Sequence, residues 1–470
     1  MTMPAPPDDT HVHPIDPTTL QPLPPVPVTT ADELADAAAA AEAASRGRWS
    51  VDGRLRATVL HQWSEALTAH ESELAGALVI ETGKTVTEAH QEIRACVDAL
   101  TYNAGLARHL SGQAGTLPDG TVAHIVREPV GVTTFIVPWN WPALLLIRDL
   151  APALAAGVTA LVKPAPQTTH VTRRLLALGH ASGLPVDVAH LVVGGSEVGR
   201  AAVAHPRVRA VAFTGSTRTG GEILHAAGNG MKRTLLELGG KGTFVVCTDA
   251  DLDQVVAAAV RGTVVTAGQM CMSCTRVLVA RPLYREVRDR LTAGLDGVRV
   301  GHPGRPDTQM GPLVSPAAAA RVAAILAATA TRHRVHGGQP AHVDGVAGAL
   351  VRPAVVTDVT LDAPVVQEEL FAPVLTVEPF DDEADAARRA NATPYGLTAS
   401  VWTRDLDRAW RLARTVQAGT VWVNGYLNSY PETPSGGMKS SGIGRTRGVV
   451  GVEQFTEVKH IHVTVAGDRP

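Results

Sequence analysis

The sequence predicts an α/β protein in which a doubly wound parallel sheet is followed by a second α/β domain. With 470 residues, the chain is longer than a single hydrophobic core usually organises. Strand-like and helix-like segments alternate over 130–240, which is typical of a parallel sheet with helices on both faces. After Glu237 the alternation starts again, so a second domain is expected there.

The composition argues against several classes of function. Hydrophobic residues make up 45% and charged residues 19% of the chain, as in an ordinary globular protein. The formal net charge of −3 provides no basic field for nucleic acid or for a membrane surface. The sequence has no apolar run of about 18 residues and no secretory signal segment, and its four cysteines are too few for a disulfide framework. We therefore expect a cytoplasmic protein without nucleic-acid or membrane partners.

The segment before residue 130 is expected to be mainly helical. Residues 1–28 are rich in Pro and Thr, which predicts an extended arm. Helical periodicity predicts helices over 30–44, 55–80 and 86–110, with Thr30 as the first N-cap. The segment Glu81-Thr82-Gly83-Lys84 is expected to be a turn, and 121–127 a hairpin strand.

In the first domain, the continuous β-branched and apolar run 131–137 predicts a strand buried on both faces. Further strands are expected at 158–162, 190–193 and 208–213, and helices at 143–156, at 168–183 and from Glu222. In the second domain, strands are expected at 243–247, 276–279, 374–379, 399–403 and 420–423, with helices at 252–265 and 283–295. An alternating pattern predicts a last strand over 455–465 that either docks internally or adds to the sheet of a neighbour.

A glycine-containing turn follows the strand at 208–213. In the segment 214–220, glycines would let the backbone approach a diphosphate, and the next helix would present free N–H groups to it. Lys163 ends a neighbouring strand, and a doubly wound sheet binds its ligand at the carboxyl ends of its strands. The alternative is an ordinary βα loop, because the spacing of Gly215 and Gly220 is not that of the G-x-G-x-x-G fingerprint.

Three residues from separate motifs could together oxidise a carbonyl compound. Cys271 could attack the carbonyl carbon as a thiolate. Asn140 and the Cys271 N–H could bind the resulting oxyanion. Glu237 could activate the water that hydrolyses the thioester, after a nicotinamide has accepted the hydride. Taken alone, Cys271 could instead be a buried structural thiol and Glu237 a helix-end carboxylate.

Cys274 forms a C-x-x-C motif with Cys271. Such a motif could be a redox pair or half of a zinc site, but no second cysteine pair and no histidine cluster accompanies it. We therefore expect no metal site and treat Cys274 as a small neighbour of the nucleophile. A reversible disulfide that protects Cys271 from overoxidation is a further hypothesis.

These motifs resemble those of the aldehyde dehydrogenase superfamily over residues 14 to 466. The shared motifs are PWNWP at 138–142, VKP at 162–164, FTGST at 213–217, ELGGK at 237–241, GQMC at 268–271, ELFAP at 369–373 and GGMKSSG at 436–442. The resemblance implies a Rossmann-type cofactor domain over 1–110 and 130–240, a catalytic domain over 241–435, and an oligomerisation flap formed by 111–129 and 451–470. It also implies a homodimer or homotetramer that oxidises an aldehyde with NAD or NADP.

The resemblance further assigns a role to each motif. The catalytic roles fall on Cys271 (nucleophile), Glu237 (general base) and Asn140 (oxyanion-binding amide). The main cofactor roles fall on Lys163 (adenine ribose), Ser216 with Trp139 (diphosphate), Glu369 (nicotinamide ribose) and Phe371 (nicotinamide). The remaining residues expected at the cofactor are Pro138, Ala165, Pro166, Thr214, Gly215 and Leu238.

One departure from the family pattern concerns the cofactor. The family usually has a glutamate where this chain has Pro166, and that glutamate accepts hydrogen bonds from the adenine ribose and repels a 2′-phosphate. Proline can do neither, so NADP is expected to be accepted as well as NAD. Ala372 and Cys274 stand where the family usually has glycine.

The substrate face is expected on the helix that follows Asn140. Trp141, Leu145 (or its neighbour Leu144) and Arg148 recur at helical spacing, and Met270, Met272 and Tyr430, with Tyr426 nearby, complete the expected set. Succinate-semialdehyde-type members of the family also carry an arginine at the position of Arg148. An acidic semialdehyde is therefore the expected substrate, with an aromatic aldehyde as the alternative, unless Arg148 turns away into a salt bridge.

Two other activities share the fold or the nucleophile. A CoA-acylating aldehyde dehydrogenase would typically lack the base, whereas Glu237 is present. A thiol esterase would need no dinucleotide, whereas Lys163 and Ser216 predict a site for one. The absorbance of reduced nicotinamide, measured over a panel of aldehydes with and without CoA, distinguishes the three.

Overall fold

The computed structural model of the protein describes residues 10–463. Its helices are α1 (Ala31–Ser45), α2 (Arg48–Val51), α3 (Gly53–Ala69), α4 (Glu71–Thr82), α5 (Val86–Leu106), α6 (Pro142–Ala156), α7 (Thr169–Ala181), α8 (Ser196–Ala204), α9 (Thr217–Gly228), α10 (Leu252–Val264), α11 (Tyr284–Asp296), α12 (Pro316–Ala330), α13 (Pro364–Gln367), α14 (Glu383–Ala390), α15 (Leu406–Thr415) and α16 (Gly448–Glu453). Its strands are β1 (His11–Val12), β2 (Val26–Pro27), β3 (Gln113–Thr116), β4 (Val122–Pro129), β5 (Val132–Ile136), β6 (Thr159–Lys163), β7 (Ala189–Leu191), β8 (Ala210–Thr214), β9 (Arg233–Glu237), β10 (Gly242–Val246), β11 (Cys274–Ala280), β12 (Arg334–Gly337), β13 (Ala354–Thr357), β14 (Val374–Phe380), β15 (Tyr395–Gly396), β16 (Thr398–Trp402), β17 (Thr420–Val423), β18 (Met438–Lys439), β19 (Gly442–Ile443) and β20 (Thr456–Val463). Parts of two predicted elements, residues 1–9 of the arm and 464–465 of the last strand, lie outside the described residues.

A six-stranded sheet forms the doubly wound unit that the sequence predicts. Its strand order is β19-β9-β8-β5-β6-β7, and the pairs from β9 to β7 are parallel. One face packs on α3, α4, α5, α6 and α7, and the other packs on α1, α8 and α9. The strand β5 is buried over its first four residues, as its continuous apolar sequence predicts.

A seven-stranded sheet forms the second α/β unit. Its order is β12-β13-β14-β11-β10-β16-β17, and every pair is parallel except β12 with β13. The helices α10, α11 and α12 cover one face, while α14 and α15 cover the other. The strands predicted in this half of the chain are all present, with ends that differ by one or two residues.

The last described strand pairs within the chain. The strand β20 runs antiparallel to β4, from the Thr456–Pro129 pair to the Val463–Val122 pair, and β3 completes a three-stranded sheet. Internal docking, one of the two alternatives for this strand, is therefore present. Among residues 10–463, no helix combines the length and apolar character needed to cross a bilayer.

Two predicted helices have different boundaries in the structure. The helix expected over 55–80 is interrupted at His70, which has non-helical dihedral angles (φ −109°, ψ 18°) and a ring nitrogen bonded to the last turn of α3. The helix expected from Glu222 begins at Thr217 instead, because the hydroxyl of Ser216 accepts a backbone N–H of its first turn.

Several elements were not predicted from the sequence. They include α8, α12 and the strands β9, β12 and β13. The strand β9 places Glu237 at its carboxyl end, so the helix-end alternative for this residue is wrong. The helix α12 is rich in alanine and buries only Val322 and Leu326, so its apolar periodicity is weak.

A buried ion pair ties two central strands of the seven-stranded sheet. Arg276 on β11 donates from Nε and Nη2 to the two carboxylate oxygens of Glu378 on β14, at 2.8 and 2.9 Å. Neither side chain is exposed to solvent. Arg276 also donates to the Arg389 carbonyl at 2.9 Å, and Thr376 donates to Glu378 at 3.2 Å. The pair therefore has the additional hydrogen bonds that a buried ion pair requires.

We predict that Arg276→Met lowers the free energy of unfolding by about 3–5 kcal/mol, because it leaves the Glu378 carboxylate buried without its partner. The matched control is Arg281→Met, since Arg281 forms the same two-bond pair with Asp381 but the side chains are 57% and 60% exposed. The control is expected to cost less than about 1 kcal/mol. Urea unfolding of both variants checks this, and equal losses would contradict it.

Candidate active site

A loop and a helix that follow β5 carry the predicted oxyanion-binding amide. Asn140 is only 4% exposed, and its side-chain nitrogen donates to the Gln269 carbonyl at 3.0 Å. Pro142 opens α6, and the next two N–H groups, of Ala143 and Leu144, donate to one oxygen of Glu92 at 2.8 and 3.0 Å. An amide has two N–H groups, so the second one of Asn140 can serve an oxyanion.

The nucleophile follows a strained turn. Thr266, Ala267 and Gly268 all have left-handed backbone conformations, with φ values of 47°, 53° and 71°. Such conformations cost about 1–3 kcal/mol each for non-glycine residues and persist only where surrounding contacts hold them. The N–H of Thr266 donates to Glu88 at 2.6 Å. A Cβ on Gly268 would lie 2.2 Å from the carbonyl carbon of Ala372, so only glycine fits there.

The buried side chain of Gln269 stabilises the same turn through two hydrogen bonds. Its side-chain amide donates to the Thr266 carbonyl at 3.0 Å and accepts the Val314 N–H at 2.9 Å. Because its own carbonyl accepts the bond from Asn140, this buried residue joins the amide loop to the nucleophile turn. Cys271 and Asn140 are thereby held in one rigid arrangement.

Burial keeps the thiol of Cys271 protonated. Burial and the neighbouring carboxylate of Glu369 raise the pKa of Cys271 to about 12, while Arg148 and the backbone N–H of Met272 act in the opposite direction. The thiolate is the attacking species, so the thiol must lose its proton to a base before or during attack.

Glu237 is a buried carboxylate with an unsatisfied oxygen. It is 5% exposed, its Oε1 has no hydrogen-bond partner, and its Oε2 lies 3.7 Å from the Arg148 guanidinium. Burial raises the pKa of Glu237 to about 7, against the opposing effect of Arg148. A carboxylate with a pKa near neutrality is suited to general-base work, and a free oxygen can accept a proton from water.

Arg148 forms the salt bridge that was the alternative to a substrate contact. Its Nε and Nη2 donate to the two oxygens of Asp149, both at 2.9 Å, and Nη2 also donates to the Thr214 hydroxyl at 2.7 Å. Burial lowers the pKa of the Arg148 guanidinium, but the neighbouring carboxylates of Asp149 and Glu237 raise it above its usual value. The edge of the guanidinium that binds a carboxylate in two bonds is therefore occupied, and the prediction that Arg148 holds a substrate carboxylate is not supported.

A cavity of about 1290 Å³ is lined by Arg148 and by Met270 and Met272, the two neighbours of Cys271, but Cys271, Asn140 and Glu237 are not part of its wall. Its wall includes four predicted substrate residues and a fifth that was only an alternative: Trp141, Arg148, Met270, Met272 and Leu144. Leu145, the residue preferred to Leu144 in the prediction, lies in the hydrophobic core behind the wall, since successive residues of a helix point about 100° apart. Tyr430 is 58% exposed and is not part of the wall.

Two further side chains set the shape of this wall. Tyr426 is buried in the core of the second sheet, and its hydroxyl donates to the Met272 carbonyl. The Nζ of Lys84 lies 4.2 Å from the centre of the Trp141 ring and forms a fully buried ion pair with Glu92. The segment predicted as a turn around Gly83 therefore supports the cavity wall.

The predicted cofactor residues gather at the carboxyl ends of β5, β6, β8 and β9. Lys163 ends β6, and burial lowers the pKa of its ammonium group to about 8. Ser216 caps α9, and the N–H of Gly215 donates to the Glu237 carbonyl at 3.0 Å. A Cβ on Gly220 would lie 2.5 Å from Leu238, so this glycine allows the helix to approach the strand. Pro138, Ala165, Pro166 and Thr214 lie in the same strand-end segments.

Glu369 lies on the other side of this edge. Its Oε1 accepts the Gly240 N–H at 3.0 Å, and burial raises the pKa of its carboxyl to about 7. Phe371 meets Trp139 edge to face, with ring centres 5.6 Å apart. A lysine and a helix N-terminus with glycines around it supply hydrogen-bond donors, and the Glu369 carboxylate supplies acceptors, which together are suited to binding a dinucleotide.

Cys274 is separate from this chemistry. It is fully buried in β11, beside the core of the second sheet, and its Sγ lies 4.0 Å from the Arg276 carbonyl. Among residues 10–463, no group of three or more His, Cys, Asp or Glu side chains could hold a metal ion. The protective disulfide with Cys271 stays a hypothesis that no contact in the structure supports.

Several site residues were missed in the sequence. Glu88 carries a signal, because Thr85-x-x-Glu88 is a capping box, which the structure contains at the start of α5. Glu92 follows four residues later on the same helix face. Lys84 and Asp149 carry no such signal, since nothing local shows that a charged residue will be buried.

Comparison with known proteins agrees with these motifs. The aldehyde dehydrogenase family model matches residues 5–461. The hydroxyisobutyraldehyde dehydrogenase of Mycolicibacterium austroafricanum is 36% identical over 455 residues, which cover 96% of this chain and 90% of that protein. The 2-hydroxymuconic semialdehyde dehydrogenase of a Pseudomonas strain is 37% identical over 445 residues, or 92% of this chain and 91% of that one.

Solved structures give the same result. A Staphylococcus aureus betaine aldehyde dehydrogenase in complex with NAD+ superimposes with a TM-score of 0.95 at 32% identity, covering 98% of this chain and 93% of that one. An NAD-dependent aldehyde dehydrogenase from Sinorhizobium meliloti gives a TM-score of 0.94 at 34% identity, with coverage of 98% and 92%. With one family model matched from end to end and relatives above 30% identity along nearly the whole chain, the protein belongs to the aldehyde dehydrogenase family.

Proposed function

We propose that the protein oxidises an aldehyde to a carboxylic acid with NAD or NADP, through a thioester on Cys271. The observation that carries this proposal is the position of Glu237. Its free carboxylate oxygen is buried near Cys271 and Arg148, while its backbone carbonyl is bonded to Gly215 of the cofactor turn. These contacts support a site in which nucleophile, base and cofactor turn act together.

The first half of the reaction is carried by the nucleophile turn. The Cys271 thiol gives its proton to solvent water, and its sulfur bonds to the aldehyde carbon to give a thiohemiacetal oxyanion. The second N–H of Asn140 and the Cys271 N–H stabilise the oxyanion. A nicotinamide held at the strand ends would supply the hydride acceptor, and loss of the aldehyde hydrogen as hydride would leave a thioester on Cys271. Glu369 and Phe371 would border the nicotinamide end of that cofactor, and Lys163 and Ser216 the other end.

The second half is carried by Glu237. Its carboxylate removes a proton from water, the resulting hydroxide adds to the thioester carbon, and the acid leaves as the Cys271 thiolate is released. The raised pKa of about 7 means that the base is protonated below neutral pH and ionised above it. A CoA-acylating enzyme would use CoA instead of this water, so added CoA is the control for the alternative activity.

The substrate class follows from the cavity and from the relatives. Those relatives are named for hydroxyisobutyraldehyde, for betaine aldehyde and for 2-hydroxymuconic semialdehyde. The cavity wall carries Glu88, Asp98, Asp253 and Asp307 as well as arginines, so its charge favours none of these aldehydes over the others. We infer an aldehyde of one of these kinds, and an aromatic aldehyde is the alternative because Trp141 lines the wall.

The predicted division into domains is part of the same proposal. The sheets agree with a cofactor domain and a catalytic domain, although β19 joins residues beyond 435 to the cofactor sheet. The three-stranded sheet leaves Ile125, Val458 and Ile461 exposed, which supports its role as a flap between copies in a homodimer or homotetramer. The four unpaired cysteines support the cytoplasmic assignment.

We predict that Cys271→Ala abolishes aldehyde oxidation, whereas Glu237→Gln keeps a rapid first turnover and slows later ones by at least about 10²-fold. Hydride transfer precedes hydrolysis, so Glu237 is needed for the water-activating step, while solvent takes the Cys271 proton in the first step. In the wild type, hydrolysis should rise as pH increases through about 7, the pKa to which burial raises Glu237. Stopped-flow absorbance of reduced nicotinamide over pH checks both statements, and an unchanged steady state in Glu237→Gln would remove this residue from the mechanism.

We predict that Arg148→Leu lowers kcat/KM about equally for charged and uncharged aldehydes, because Asp149 already occupies the carboxylate-binding edge of Arg148. Arg148 lowers the pKa of Glu237, so its removal should shift the rise in hydrolysis to higher pH. Arg290→Leu is the matched control, since Arg290 lines the same cavity but pairs with Asp253. A selective loss for acidic aldehydes would restore the substrate role of Arg148.

We predict that NADP is used at least comparably with NAD, because Pro166 offers neither an acceptor to the ribose nor a negative charge against a 2′-phosphate. Pro166→Glu should move the kcat/KM ratio toward NAD by at least about tenfold, the effect of one charge-assisted hydrogen bond. Gln167→Glu, one residue further along the same short helix, adds the same charge and is the control. A wild-type preference for NAD above about a hundredfold would refute the argument.

A further inference from the structure

Lys241 is a buried lysine whose side-chain nitrogen serves a single backbone carbonyl. The residue is 5% exposed, and among residues 10–463 its Nζ forms one hydrogen bond, to the Glu368 carbonyl oxygen at 2.7 Å. Burial and the neighbouring Arg276 lower the pKa of this amine to about 7. Burying an amine without a carboxylate partner costs free energy, and such costs are concentrated at functional sites.

The segment that Lys241 holds has no regular structure of its own. It follows the short helix α13, of which Glu368 is the C-cap. Phe371 has a left-handed backbone (φ 54°), and the Leu370 carbonyl accepts a bond from Arg321. Backbone groups outside helices and strands need partners from elsewhere in the protein. The position of this segment therefore depends on donors such as Lys241.

The two glycines before Lys241 lie against the same segment. The Gly240 N–H donates to the Glu369 carboxylate at 3.0 Å, and a Cβ on Gly239 would collide with that carboxylate. A Cβ on Gly240 would collide with the Cys271 carbonyl oxygen. The loop that leaves the candidate base is therefore packed between the nucleophile and Glu369.

The Glu369 carboxylate lies at the reacting end of the proposed cofactor crevice. Burial raises the pKa of Cys271, and the carboxylate of Glu369 raises it further, so the two groups are close. A hydride acceptor has to lie beside the carbon that is bonded to Cys271. A carboxylate at this place can accept hydrogen bonds from the hydroxyls of the adjoining ribose.

We propose that Lys241 is a positioning residue for the cofactor: it fixes the Glu368 carbonyl and thereby holds the Glu369 carboxylate where it accepts hydrogen bonds from the ribose beside the nicotinamide. This inference rests on the proposed oxidation with NAD or NADP. Lys241 acts through Glu369 rather than by a contact of its own. Its loss should therefore affect the nicotinamide half of the dinucleotide and spare the adenine half, which Lys163 and Ser216 border.

The test measures binding of NADH and of ADP, which has the adenine half but no nicotinamide. Lys241→Met removes the N–H donors with little change in volume. It should weaken NADH binding by about tenfold, the effect of one hydrogen bond to a charged group, and change ADP binding by less than about twofold. Lys241→Gln retains N–H donors and should weaken NADH binding less than Lys241→Met does. Fluorescence titration with NADH and calorimetric titration with ADP give these values without turnover.

A double-mutant cycle tests whether Lys241 acts through Glu369. In the Glu369→Gln background, Lys241→Met should change NADH binding by less than about twofold, because the carboxylate that Lys241 positions is already absent. Equal losses in the two backgrounds would overturn the inference, since Lys241 would then act independently of Glu369.

Lys232→Met is the matched control. Lys232 directly precedes β9, and its Nζ donates to the Val203 and His205 carbonyls at 2.6 and 2.7 Å, at the end of α8. Lys232 and Lys241 thus both hold backbone carbonyls at the C-terminus of a helix, but Lys232 does so at the amino end of β9, away from the predicted cofactor residues. Its loss should change NADH binding by less than about twofold.

The outcomes separate this inference from the proposed oxidation. A wild type that binds NADH in a way that depends on Lys241, but oxidises no aldehyde, would refute the proposed activity and support the inference. Equal weakening of NADH and ADP binding in Lys241→Met would overturn the inference and leave aldehyde oxidation standing. Equal losses of NADH binding in Lys241→Met and Lys232→Met would do the same.

Discussion

A buried glutamate, Glu92, and a half-buried one, Glu88, lie on one face of α5 and hold the active site together. Glu92 accepts the first N–H groups of α6 with one oxygen and pairs with Lys84 through the other, while Glu88 accepts the Thr266 N–H. One helix therefore supports both the amide loop and the nucleophile turn. Because the left-handed residues before Cys271 are strained, their conformation depends on such external bonds.

The same burial that fixes these groups tunes their chemistry. Burial raises the pKa values of Glu237 and Glu369 to about 7 and that of Cys271 to about 12, and it lowers that of Lys241 to about 7. In such a dry site each charge acts strongly on its neighbours. Arg148 opposes the effect of burial on the pKa values of both Cys271 and Glu237, so its charge acts on nucleophile and base alike.

The parts of the fold that local sequence signals specify were predicted correctly. The apolar run of β5, the capping of α1 by Thr30 and the strands of the second sheet are examples. The helix ends that were predicted wrongly are set by single side chains, which periodicity does not reveal. His70 ends α3 through its own ring, and Ser216 starts α9 earlier than the glycines that follow it suggest. In the site, the motifs located Cys271, Glu237 and Asn140, whose roles remain proposals.

The sequence by itself determined the family, many of the strands and helices, and the candidate reactive groups, because these depend on short motifs and on periodicity. Only the tertiary structure decided which charged groups are partners. Arg148 pairs with its own neighbour Asp149, and Arg276 pairs with Glu378 on another strand. Leu144 rather than Leu145 reaches the cavity because the rotation of α6 is set by packing. Partner choice and side-chain direction depend on distances between segments far apart in the chain, which no local pattern contains.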